Sequence, residues 1–119
     1  RESGLATNID VNPMALVAPE QDPGVVGGRE LLDFAEALLG TDRARLDRAR
    51  DAVAQVLGRE AIGGVAAVAA TFSMNDRIAN ACGIPVEPMV LKTTKDLRQT
   101  MGLNQYRSAA YTFKHFQDE

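Results

Sequence analysis

At 119 residues the chain is long enough for one domain and too short for two ordinary ones. Its formal charge of -3 is small, and its single cysteine, Cys82, excludes an intrachain disulfide and makes a reducing, cytoplasmic setting the expectation. Aromatic residues are 5% and Trp is absent, so alanine and branched aliphatic side chains must do most of the packing, in a core small enough to invite completion by other copies.

The charge is uneven along the chain. Residues 1–40 carry two basic and seven acidic side chains, residues 41–91 six of each, and residues 92–119 five basic and three acidic. An excess of two positive charges in the tail is not the clustered basic face that nucleic acid requires, so no nucleic-acid partner is expected. No secretory signal is visible, and no apolar run approaches the roughly 20 residues that span a bilayer, so no membrane partner is expected either. The first residue is Arg1 rather than Met, which fits a processed or truncated product.

In chain order, residues 1–28 hold Pro13, Pro19, Pro23 and four glycines without a sustained helical period, and read as an extended or partly disordered arm. Short apolar patches, Ile9 with Val11 and the run from Met14 to Ala18, offer that arm a way to dock on a surface. Over residues 30–39 Leu31, Leu32, Ala35, Leu38 and Leu39 recur at three- and four-residue spacing, predicting a helix that Gly40 ends in a left-handed cap. Thr41 is placed to cap the next helix, residues 42–57, with Asp42 at its positive end. Leu46, Ala49, Val53, Val56 and Leu57 give that helix an apolar face. Its other face holds Arg43, Arg45, Arg48 and Arg50 between aspartates, with Arg43 and Asp47 spaced to pair. Four arginines suggest an anion-binding surface, but the interleaved carboxylates favour a plain solvated face.

Gly58 breaks the chain, and residues 59–82 read as one long helix whose first half, from Ala61 to Ala70, is apolar or small on every side. Such a helix must be surrounded by neighbours from its own or a sister polypeptide, and Gly63 with Gly64 suggests close approach of another helix. Gly83 and Pro85 end it. A short helix over 94–101, capped by Thr93 or Thr94 with Leu97 and Met101 inward, and a last helix over 104–116 complete an all-α chain.

Few residues carry chemistry. Cys82 lies at a helix carboxy terminus, where unpaired carbonyls disfavour a thiolate, and no second cysteine can resolve an intermediate, so a buried structural thiol is expected. His115 is the only histidine and has no second ligand at metal spacing, which predicts a surface position and no metal. No phosphate loop or nucleophile elbow is present, and no cofactor is expected. The catalytic candidates that remain are Asn75, Asp76 and Arg77, read either as a polar pocket or as a network holding the helix end to its neighbours.

The run from Val65 to Pro85 resembles the late helix of alkylhydroperoxidase D-like and carboxymuconolactone decarboxylase-like domains: an apolar helix, Phe72, a short gap, Asn75-Asp76-Arg77, then Ala79 and Gly83-Ile84-Pro85. The stretch from Leu31 to Leu38 looks like the helix after that family's active site, and the segment ending at Leu57-Gly58 resembles the next, so the likeness covers residues 29–88. It implies an alkylhydroperoxidase D-like helical bundle over 29–119 as a single domain, with residues 1–28 as its arm, and assembly into trimers or hexamers. In the peroxidase-like members a Cys-x-x-Cys helix with an associated histidine does the chemistry. Residues 1–28 contain neither Cys nor His, so none of those roles carries over, and Asn75 and Arg77 match positions of architectural use. The expectation is a helical oligomeric domain, non-catalytic on its own. Its alternatives are a fragment or divergent member of an antioxidant enzyme or decarboxylase, and a module binding a small hydrophobic ligand.

Overall fold

The computed structural model describes residues 9–116, which form helices and connecting turns with no strand among the described residues. The helices are α1 (Gly28–Leu39), α2 (Arg43–Leu57), α3 (Ala61–Cys82), α4 (Pro88–Thr93), α5 (Lys95–Thr100) and α6 (Ala109–Phe113), with 3-10 turns at Pro13–Leu16 and Leu103–Gln105. The contacts divide into two compact units, one up to Ser73 and one from Met74, with the boundary inside α3.

Of residues 1–28, expected as an extended or partly disordered arm, residues 1–8 lie outside the described residues. Residues 9–27 fold back on themselves around Asn12. Its Oδ1 accepts from the Met14 N–H, its Nδ2 donates to Gln21 Oε1 and the Asp22 carbonyl, and its backbone N–H donates to the Pro23 carbonyl at 2.9 Å. Asx chemistry of this kind replaces the hydrogen bonds that proline-rich backbone cannot make in a helix. Arg29, in the first turn of α1, ties the loop down by donating to the Gln21 carbonyl at 2.9 Å. Gly24 lies at φ +79°, and a Cβ there would run into the Asp10 carbonyl, so the loop closes only around glycine.

Helices α1 and α2 form a hairpin whose core is Phe34, Ala37, Ala49 and Val53, with Val53 fully buried. Leu38, Leu46 and Leu57 pack around it, as do Ile62, Val65 and Ala66 from the start of α3. The apolar stripe of α2 is as its spacing predicts, except that Val56 is exposed. In α1 the stripe is rotated: Phe34 and Ala37 are inside and Leu39 is exposed, because the larger aromatic side chain takes the centre of the contact.

Several local expectations are corrected. Gly40 is extended, at φ -85° and ψ -173°, and its N–H closes the helix onto Glu36 and Ala37 without a left-handed turn. Asp42, not Thr41, caps α2, its Oδ1 accepting from the Arg45 N–H at 2.9 Å. Asp47 pairs with Arg50 at 2.7 Å, one residue closer along the helix than expected and on the carboxy-terminal side.

In the second unit, the end of α3 is stopped by Gly83 at φ +64° and by Pro85, as the sequence requires. Helix α4 falls in a stretch to which the sequence assigns no element; Pro88 occupies its first turn, where a missing N–H costs nothing. Helices α4 to α6 and the turn at Leu103–Gln105 converge on Arg98, which is 9% exposed. Its guanidinium donates to the Leu91 carbonyl at 2.9 Å and to Asn104 Oδ1, its Nε donates to Thr94 Oγ1 at 3.2 Å, and it lies 6.0 Å from the Phe113 ring centroid. Leu91 and Met101 are buried beside this cluster while Leu97 is 41% exposed, a reversal of its expected inward position. The final helix expected over 104–116 is broken into a 3-10 turn and α6, and buried Thr112 accepts the Val86 N–H at 2.9 Å.

Candidate functional site

Consecutive residues of an α-helix point about 100° apart, so Asn75, Asp76 and Arg77 cannot converge on one substrate atom from α3 alone. All three are exposed. Asp76 lines a hollow of about 430 Å³ in the second unit, whose lining includes neither Asn75 nor Arg77. Asn80, Asn104 and Ser108 join it on the polar wall, and Ile84, Leu91 and Leu103 form apolar wall. Arg98 also faces the hollow, fixed by the bonds already described. Sequence reasoning missed Arg98. Its acceptors come from three separate segments, and no local motif marks a residue whose partners lie seven residues before it and six after.

Cys82 is exposed at the end of α3, which corrects the expectation of a buried thiol. The local sequence is apolar enough for burial, but the last turn of α3 is covered on too few sides to achieve it. His115 is exposed as expected, its ring tilted 56° against Phe116 at 6.5 Å. No group of three or more potential metal ligands occurs among the described residues.

Arg43, Arg45 and Arg48 of α2 are exposed and Arg50 is half-buried, and two of the four, Arg45 and Arg50, meet carboxylates. Arg45 Nη2 lies 2.8 Å from Glu36 Oε2 and 3.9 Å from Asp33 Oδ1, both on α1. The hydrogen bond to Glu36 raises the Arg45 pKa above its ordinary value, with smaller help from the Asp33 and Asp42 charges. Arg50 is engaged by Asp47. A shallow groove runs along this edge, lined by Arg29, Glu30, Asp33, Arg45 and Arg48, in which each stretch of positive charge has a carboxylate beside it. Mixed lining of this kind does not select an anion.

The remaining feature is α3 itself. It carries two charged residues in 22 and has none that is buried. Val68 is 59% exposed, Phe72 65%, Met74 54% and Ile78 53%. A Cβ added at Gly63 or Gly64 would meet nothing within 4 Å. No described helix is long and apolar enough to cross a membrane. No family model, curated protein or solved structure matches the chain.

Proposed function

We propose that this chain is a helical assembly domain related to the alkylhydroperoxidase D and carboxymuconolactone decarboxylase families, which works by associating with further copies of itself and has no thiol redox chemistry of its own. The observation that carries this reading is α3: 22 largely apolar residues, none of them buried, with four large side chains more than half exposed. Isolated exposed apolar residues need no explanation, but several large ones along one helix mark a surface that another protein covers. The order of elements supports the family relation: a hairpin, a long apolar helix, then a left-handed glycine and proline. One cysteine in 119 residues provides no dithiol. Light scattering at micromolar concentration tests the reading. The expected mass is a multiple of the 12.8 kDa chain, a hexamer or trimer if the family relation holds, and a monodisperse monomer overturns it.

A second reading is favoured by the cavity beside Asp76: a module binding a small molecule with an apolar body and a hydrogen-bonding end. Titration with hexanol and hexanoate, followed by amide chemical shifts, should move Asn80, Leu91 and Asn104 together. Shifts scattered over the surface overturn it.

A further inference from the structure

Resting on the reading of the second unit's hollow as a small-molecule site, we infer that its ligand is an amino acid or a related zwitterion with an apolar body. The ammonium sits at Asp76, Asn80 and Ser108, and the carboxylate lies on the side of Arg98. All four residues line the same hollow of about 430 Å³, and all belong to the second unit. The polar residues of this hollow divide by what they do for the fold. Thr112 accepts the Val86 N–H at 2.9 Å, and Arg98 donates to the Leu91 carbonyl, Thr94 and Asn104, so these residues hold the frame. Asp76, Asn80 and Ser108 hold nothing. Among the described residues, none of their side chains makes a hydrogen bond or an ion pair. All three are exposed, so water satisfies them and a ligand can take that water's place.

The chemistry of the unused groups selects the cationic end. Asp76 and Asn80 are four residues apart on α3, which puts them on one face of that helix. A carboxylate, an amide and a hydroxyl each offer an oxygen acceptor, and an ammonium brings three N–H donors and no acceptor. Charge then selects the other end. Asp76 and Arg98 line one hollow without pairing with each other. A simple anion entering there meets the Asp76 carboxylate, and a simple cation meets the Arg98 guanidinium, which keeps its charge whatever else it touches. A zwitterion answers each wall charge with its opposite and adds no net charge. The guanidinium is already fixed by Leu91, Thr94 and Asn104, so binding does not have to order it. Between the charged groups Ile84, Leu91, Leu103 and Phe113 supply apolar wall, which calls for an apolar side chain or a methylene chain.

Titration of the full chain with leucine, 6-aminohexanoate, hexanoate and hexylamine, followed by amide chemical shifts, tests the charge and its placement. Leucine carries its two charges on one carbon and 6-aminohexanoate at the two ends of a chain, so the tighter of them also reports how far apart the wall charges stand. The expected result is that the tighter zwitterion moves Asn80, Leu91 and Asn104 together and binds about fivefold more tightly than hexanoate or hexylamine. In Asp76→Asn, which keeps the shape and loses no partner within the protein, that advantage over hexanoate should disappear. Hexanoate or hexylamine binding as tightly as the zwitterions overturns the inference while sparing the small-molecule reading. An advantage that survives Asp76→Asn overturns the placement of the ammonium and the inference with it. If none of the four compounds moves these amides, the small-molecule reading itself falls.

Discussion

Asn12, Arg29, Asp42 and Arg98 each hold backbone that the neighbouring sequence leaves without partners. Asp42→Ala removes the cap of α2 and should lower stability by about 1 kcal/mol, read as a fall in the urea midpoint at constant slope. Phe34→Ala empties the centre of the hairpin core and should cost about 3–5 kcal/mol in the same experiment. An unchanged midpoint in the second case would mean that Phe34 is not at the centre of packing. Gly24→Ala combines a left-handed backbone with a collision against Asp10, so it should cost more than the ~1–2 kcal/mol of the conformation alone. The break at Gly58 and the stop at Gly83 and Pro85 are visible in sequence because they act on their immediate neighbours, whereas the choice of Asp42 over Thr41 as cap is settled only by backbone geometry. Arg98 is not, since long-range acceptors make it structural, and Phe34 hides within a run of leucines that satisfies the helical period equally well.

Helices α1, α2 and α3 are legible because apolar spacing, terminal glycines and prolines agree over long segments. Helix α4 is not legible, because its six residues are too few to show an apolar period and Pro88, which opens it, is equally at home in a turn. The short elements from α4 to α6 have little helical stability of their own and rely on shared partners. Arg98→Met keeps much of the side-chain volume and removes its donors, so amides of α4, α5 and α6 should lose hydrogen-exchange protection while those of α1 and α2 keep theirs. Uniform loss throughout the chain would show that the guanidinium holds more than its own unit. The candidate catalytic trio illustrates the opposite limit. Asn75, Asp76 and Arg77 are adjacent in sequence, which draws the eye, but one helix turns adjacent residues away from one another.

For the whole molecule, what sequence supplied was the greasy character of α3 and what it could not supply was the side from which that helix is covered. Ile62, Val65 and Ala66 at its start pack on the hairpin core, while Val68, Phe72, Met74 and Ile78 farther along are exposed. If assembly stabilises the chain, its melting temperature should rise with protein concentration, and Ile78→Asp should remove that dependence with little change in the circular dichroism of the dilute protein. A melting temperature independent of concentration in the parent protein would count against assembly. The exposed Cys82 has a practical consequence here. A sequence with one sulfhydryl, open to solvent near the end of its longest helix, accepts a single maleimide dye without mutagenesis. Fluorescence anisotropy from that one address then reports the tumbling of the particle, and energy transfer between donor- and acceptor-labelled batches reports whether chains exchange.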